Sequence, residues 1–152
     1  MDPQTQQQAV TLGTQLGVAG LSVLLMTMVH GLGLLLVMRL FNLAPENLAE
    51  REVNSRSMLR LGALGVALFA LHLIEIGMFA VFYRVIGALE TAEEALYFSA
   101  SAYATLGRPE EGFPHEWRLM IAVEAVIGFV LISWSAAFIV SAINSLRQEK
   151  SE

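Results

Sequence analysis

The sequence predicts an all-α integral membrane protein with three spanning helices and a short re-entrant helix between the second and third. Composition and pattern both lead there. Hydrophobic residues make up 55% of the 152 residues and charged residues only 15%, an apolar excess that a water-soluble domain of this length has no interior to hold. That excess is gathered into three runs, 16–38, 61–83 and 119–143, each long enough for the ~20 helical residues that cross a bilayer. None alternates with period two, so the strands of an outer-membrane barrel are not expected.

Taken in order, the first run is broken only by polar residues and His30, and the second holds His72 and Glu75. A fourth apolar stretch, 92–105, is too short to span and fits either an interfacial helix or a re-entrant one. Leu106-Gly107-Arg108-Pro109 then stops it, because proline lacks a backbone donor and clashes with the preceding turn. The third run carries Glu124 near its start. The polar segment 42–57 reads as a short turn or helix outside the membrane.

Lysine and arginine set the orientation. Arg39, Arg51, Arg56, Arg60, Arg147 and Lys150 fall on one side, against Arg84, Arg108 and Arg118 on the other. The first loop and the C-terminus are therefore expected in the cytoplasm of a cell (inner) membrane, with the N-terminus and the short helix outside. The outer segment adds Glu90, Glu93, Glu94, Glu110, Glu111 and Glu116, an acidic mouth that would gather cations. The N-terminus has no positive region, so no cleaved targeting peptide is expected. A net charge of −5 without a basic cluster argues against nucleic acid as a partner, and the lack of cysteine excludes disulfides and thiolate chemistry. No nucleophile elbow, phosphate loop or HExxH pattern is present, so an enzyme is not expected.

The most specific stretch runs from Ala95-Leu96-Tyr97-Phe98-Ser99 to Thr105-Leu106-Gly107. It resembles the pore helix and filter of the potassium-channel-like pore-loop ion channel family, whose members typically read A-L-Y/W-F/W-S-x-x-T-x-T-T-V/L-G-Y-G-D there. His72, Glu75, Phe79, Tyr83 and Gly87-Ala88 are similar to the outer helix of a group of short bacterial channel proteins. Gly128, ten residues after Arg118, resembles the glycine hinge of the pore-lining helix. The likeness covers about half the chain, from Phe69 to Leu146, and leaves the first span outside the core module. It implies a first segment 1–60 with the extra span, a potassium-channel-type pore module 61–146 and a cytoplasmic tail 147–152.

The resemblance implies a homotetramer embedded in lipid that conducts cations passively, with monovalent ions such as potassium or sodium as candidates and no bound cofactor. Carbonyls of Thr105, Leu106, Gly107 and Arg108 would form the constriction, Glu110 and Glu111 its outer mouth, and Gly128 the bending point. Helical spacing from Gly128 continues the inner lining through Ile132, Ser135 and Ile139. The chain departs from the family after Gly107. Arg108-Pro109-Glu110 stands where the family has Tyr-Gly-Asp, and Ala104 replaces the first filter threonine. The missing second glycine removes a residue that takes unusual backbone angles easily. The implied filter is shortened and less selective, admits a different ion, or is closed.

Ionisable residues within spans are rare and usually functional. His72 and Glu75, three apart, share a helix face and could serve as a proton or metal site. The more ordinary reading is hydrogen bonding that braces the short helix. Glu124 has the same reading, with Ser99 and Ser101 as reachable partners. His30 reads as a buried hydrogen bond, since one isolated histidine does not make a metal site. His72, Glu75 and Glu124 together offer too few ligands for a convincing metal centre. Gly13, Gly17, Gly20, Gly62 and Gly65 suggest close helix contact, Tyr83 and Trp117 an interfacial belt, and Trp134 packing. Two other functions stay open: a non-conducting pore-like subunit, and a proton- or metal-linked membrane protein acting through His72 and Glu75.

Overall fold

A computed structural model of the chain describes residues 3–41, 55–107 and 113–147. All described secondary structure is helical. Helix α1 is Pro3–Phe41, α2 Ser55–Val85, α3 Ala92–Tyr103 and α4 Arg118–Arg147, with a single 3-10 turn, His115–Trp117, leading into α4. Three helices are long and apolar enough to cross a membrane, over Leu12–Phe41, Met58–Val85 and His115–Ala142. The protein is therefore a multi-pass membrane protein by length and composition. Each helix extends past its apolar run, because polar flanks such as Pro3 to Gln15 continue the helix without any lipid-facing requirement. Arg108, Glu110 and Glu111 lie outside the described residues, as do 42–54 of the first loop.

α1 and α4 run in the same direction and α2 runs against them. At one end the side-chain carbonyl of Gln15 accepts from the backbone N–H of Leu119, at 3.3 Å. At the other, Leu34 and Val37 pack with Leu64, Leu68 and Leu71, and with Phe138 and Ile139 of α4. α2 and α4 scarcely touch one another, because α3 fills the space between them over one half of their length and α1 over the other.

Local sequence dictates both ends of α3. Thr91 is its N-cap, and its hydroxyl accepts from Glu94 N–H at 3.1 Å. Thr91-Ala92-Glu93-Glu94 is thus a capping-box sequence, with two carboxylates in the first turn where the helix dipole favours them. The C-terminal end closes with two crossed bonds, Leu106 N–H to Ser101 O and Thr105 N–H to Ala102 O, both 2.9 Å. α2 ends the same way, with Ala88 N–H to Tyr83 O at 3.0 Å and Gly87 N–H to Arg84 O at 3.1 Å. This closure places one residue in the left-handed region, where glycine is the usual choice. At the end of α2 that residue is Gly87, with φ 70°. At the end of α3 it is Thr105, with φ 59°, a β-branched residue held where side chains cost about 1–2 kcal/mol.

An aromatic cluster packs around Phe98 of α3. The rings of Phe98 and Phe113 stack at 5.0 Å, and Tyr83 meets both edge-on at 5.3 and 5.6 Å. Phe79, Phe82 and Trp117 complete it. Such pairs add about 0.5–1.5 kcal/mol each beyond the area they bury.

The close helix contacts expected at Gly13, Gly17, Gly20, Gly62 and Gly65 do not occur within the chain, where a Cβ at any of them would meet nothing within 4 Å. Close approach falls instead at Gly128. A Cβ there would lie 2.4 Å from the carbonyl oxygen of Tyr103 and 3.0 Å from its Cα. The end of α3 therefore rests directly on the α4 backbone.

Candidate functional site: two buried carboxylates around the short helix

The apolar runs leave few polar groups in the spans, and the fold gathers most of them onto α3. Glu75 is fully buried and faces three donors. His30 Nδ1, from α1, lies 2.8 Å from Glu75 Oε1. His72 Nδ1 lies 2.9 Å from Oε2, and the Tyr103 hydroxyl donates to that same oxygen at 2.5 Å. The two imidazoles stack with centroids 5.5 Å apart, which brings both Nδ1 atoms to one side. Beyond His30, Nε2 is 3.5 Å from Ser135 Oγ, a long contact, and Trp134 covers the ring.

The second carboxylate, Glu124, is also fully buried. Tyr83 donates to its Oε2 at 2.6 Å, and Ser99 makes a very short hydrogen bond to its Oε1. Ser99 also donates to the carbonyl of Ile76 at 2.8 Å. Of the two serines reachable from Glu124, Ser99 makes the bond, while Ser101 turns back to the Tyr97 carbonyl at 2.7 Å. Among the described residues no buried side-chain nitrogen or oxygen lacks a partner. Net burial of such groups without partners would cost several kcal/mol in hydrocarbon, so these pairings hold α3 in place between α2 and α4.

The depth of α3 follows from its neighbours. Tyr103 sits beside His72 and Gly128, each near the middle of its apolar span. Beyond it, Thr105 and Gly107 lie over Arg118, Ile121, Ala122 and Ala125 around a cavity of about 250 Å³. The chain thus climbs back toward the start of α4. Residues 104–107 are all exposed, Leu106 at 79%. Among the described residues, no carbonyl from Ala104 to Gly107 accepts a backbone hydrogen bond.

The proposed inner-lining stripe divides. Gly128 faces Tyr103, Ser135 is buried against His30, and Ile139 packs half-buried against the core at the far end. Only Ile132 keeps an exposed face, at 41%. Sequence reasoning did not pair His30 with Glu75, nor Tyr83 with Glu124 or Tyr103 with Glu75. The one available signal was that every ionisable group in a span needs a donor or acceptor on another helix. Comparison with known families, with curated proteins and with solved structures finds no match to this chain.

Proposed function

We propose that the chain is one subunit of a homotetrameric pore that conducts cations passively, with the turn after α3 as its constriction. One observation carries this reading. An exposed, non-helical segment, 104–107, whose carbonyls accept no backbone hydrogen bond among the described residues, follows a helix end that lies level with the middle of two spans. Lipid cannot solvate such groups, and irregular backbone at that depth survives only where protein covers it or where it lines water or ions. Four copies around an axis satisfy that condition, with carbonyl oxygens replacing part of an ion's hydration shell. The C-terminal end of α3 adds the negative end of its dipole, which favours a cation.

The left-handed Thr105 fits the same reading. Glycine would take that angle without strain, so a threonine there suits a role for its hydroxyl beside the carbonyls. The face of α4 beneath Thr105 begins at Ile121, Ala122 and Ala125. Helical spacing continues it to Phe129, Ile132 and Ala136, all exposed within the chain. These replace Gly128, Ser135 and Ile139 as the inner lining, with Ile132 common to both sets. In this reading the extracellular mouth is at the α3 end and the C-terminus in the cytoplasm, the orientation expected from the Lys and Arg distribution. His72, Glu75 and Glu124 brace α3 in this arrangement and do not line the conduction path.

Purified protein in liposomes tests the reading. Potassium or sodium flux that disappears when Thr105 and Gly107 are replaced by bulky residues supports it. Absence of cation flux across voltage and pH, or a monomer by mass in lipid discs, overturns it in favour of a non-conducting subunit. Replacing Arg108-Pro109 with Tyr-Gly is expected to raise potassium over sodium permeability several-fold.

A further inference from the structure

The three-residue group His30, His72 and Glu75 goes beyond bracing. We propose that it is a binding site for one divalent transition-metal ion of the zinc class, with the Tyr103 hydroxyl oxygen as a fourth ligand. One ligand atom from each of the three residues lies within 4.8 Å of the others, and they come from two separate spans, while Tyr103 comes from α3. Two imidazole nitrogens and a carboxylate are a common zinc donor set, and they suit borderline-soft ions better than magnesium or calcium.

Three features of the geometry favour an ion there. The two histidine rings already present Nδ1 toward the same carboxylate, at 2.8 and 2.9 Å. Ser135 lies against the other nitrogen of His30, where accepting an Nε2–H would leave the Nδ1 lone pair free for a metal. Lastly, Glu75 is a fully buried carboxyl group in the middle of a span, where negative charge is expensive. A divalent cation offsets it.

The cluster as described is the hydrogen-bonded form. Tetrahedral ligands at ~2.0–2.1 Å from zinc are about 3.3 Å apart, so binding requires the donors to separate by roughly half an ångström. The ion takes the place of the protons now shared between them and releases them to solvent. His72 is the donor with access from outside the cluster, its side chain being 14% exposed. A bound ion would tie the first span directly to the end of α3. The site is read from the chain's own geometry and stands whether or not the protein conducts ions.

The test uses tag-free, full-length protein in detergent micelles. Cobalt(II) added to the unaltered chain should give the visible bands of a low-coordinate ion with nitrogen and oxygen ligands, which needs no variant to fold. Zinc titrated against a chromophoric chelator should bind one ion per chain. His30→Gln and His72→Gln, accepted only if helicity and elution volume match the parent, should each weaken that binding at least tenfold. His115→Ala removes the remaining histidine of the three in the chain and should leave it unchanged. Featureless cobalt spectra, zinc uptake no greater than that of empty micelles, or uptake equally strong in His30→Gln would each overturn the proposal.

Discussion

Replacing Gly128 with alanine separates two accounts of that residue. A bending point predicts a change in pore opening with little change in stability. Close packing predicts loss of stability. The added Cβ would lie 2.4 Å from the Tyr103 carbonyl oxygen and 2.9 Å from its ring. Restoring an ordinary separation of ~3.5 Å requires α3 and α4 to part by roughly 1 Å. The oxygen belongs to a helix end and cannot rotate away alone. Overpacking of this kind costs about 1–3 kcal/mol. The movement also strains the bonds that Ser99 makes to Glu124 and Tyr103 to Glu75, each worth ~1–3 kcal/mol when an ionised group takes part. Alanine returns about 1 kcal/mol of helix propensity. The net expectation is a loss of about 2–3 kcal/mol, read from unfolding by sodium dodecyl sulfate followed by circular dichroism. Gly65→Ala, where the chain offers open space, is the control and should unfold no earlier than the parent. A Gly128→Ala protein as stable as that control would refute the packing account.

The two carboxylates should respond differently to amidation. In Glu124→Gln the amide oxygen can accept from Tyr83 while its N–H₂ donates to Ser99, which keeps its bond to the Ile76 carbonyl; the change in unfolding free energy should stay within about 1 kcal/mol, against a loss of ~1–3 kcal/mol in Glu124→Ala, which strands the Tyr83 hydroxyl. Glu75→Gln keeps an oxygen for His72 and Tyr103 but turns its N–H₂ toward His30, which accepts it only by moving its proton to Nε2 beside Ser135; thermal unfolding in detergent should show a loss of ~1–2 kcal/mol. Thr105→Gly relieves the left-handed backbone and should raise stability by about 1 kcal/mol while lowering cation flux in liposomes; unchanged flux would remove the threonine hydroxyl from the conduction path. Phe98→Ala empties the centre of the aromatic cluster and should cost ~3–5 kcal/mol by the same unfolding assay.

The three spans were legible because the bilayer imposes one crude requirement, length of apolar helix, and the runs meet it. Their true ends were not, since Pro3 to Thr11 and Ser55 to Ser57 continue as helix ahead of the apolar spans. The break after Tyr103 was visible in Leu106-Gly107-Arg108-Pro109, yet the residue that takes the left-handed angle is Thr105, which no propensity marks. Glu75 and His72 were legible as a pair because three residues separate them on one helix. His30 stands 45 positions away on another helix, and a sequence carries no register between separate spans. The same gap applies to the lining stripe. Spacing from Gly128 finds a real helix face, but it cannot tell which neighbour that face meets, and the neighbours are the chain's own α1 and α3.

The lodging of α3 between α2 and α4 has a bearing on how the protein is made. Twelve residues are too few to enter a bilayer unaided. In the proposed pore the long helices would therefore arrive first, bringing Glu75 and Glu124 into the hydrocarbon before Tyr103 and Ser99 are there to meet them. During that interval Glu75 would have only its two histidines and Glu124 only Tyr83, an incompleteness that would mark each carboxyl group as unfinished. Arrival of the short helix erases both marks at once, so maturation of this protein should hinge on that single late event.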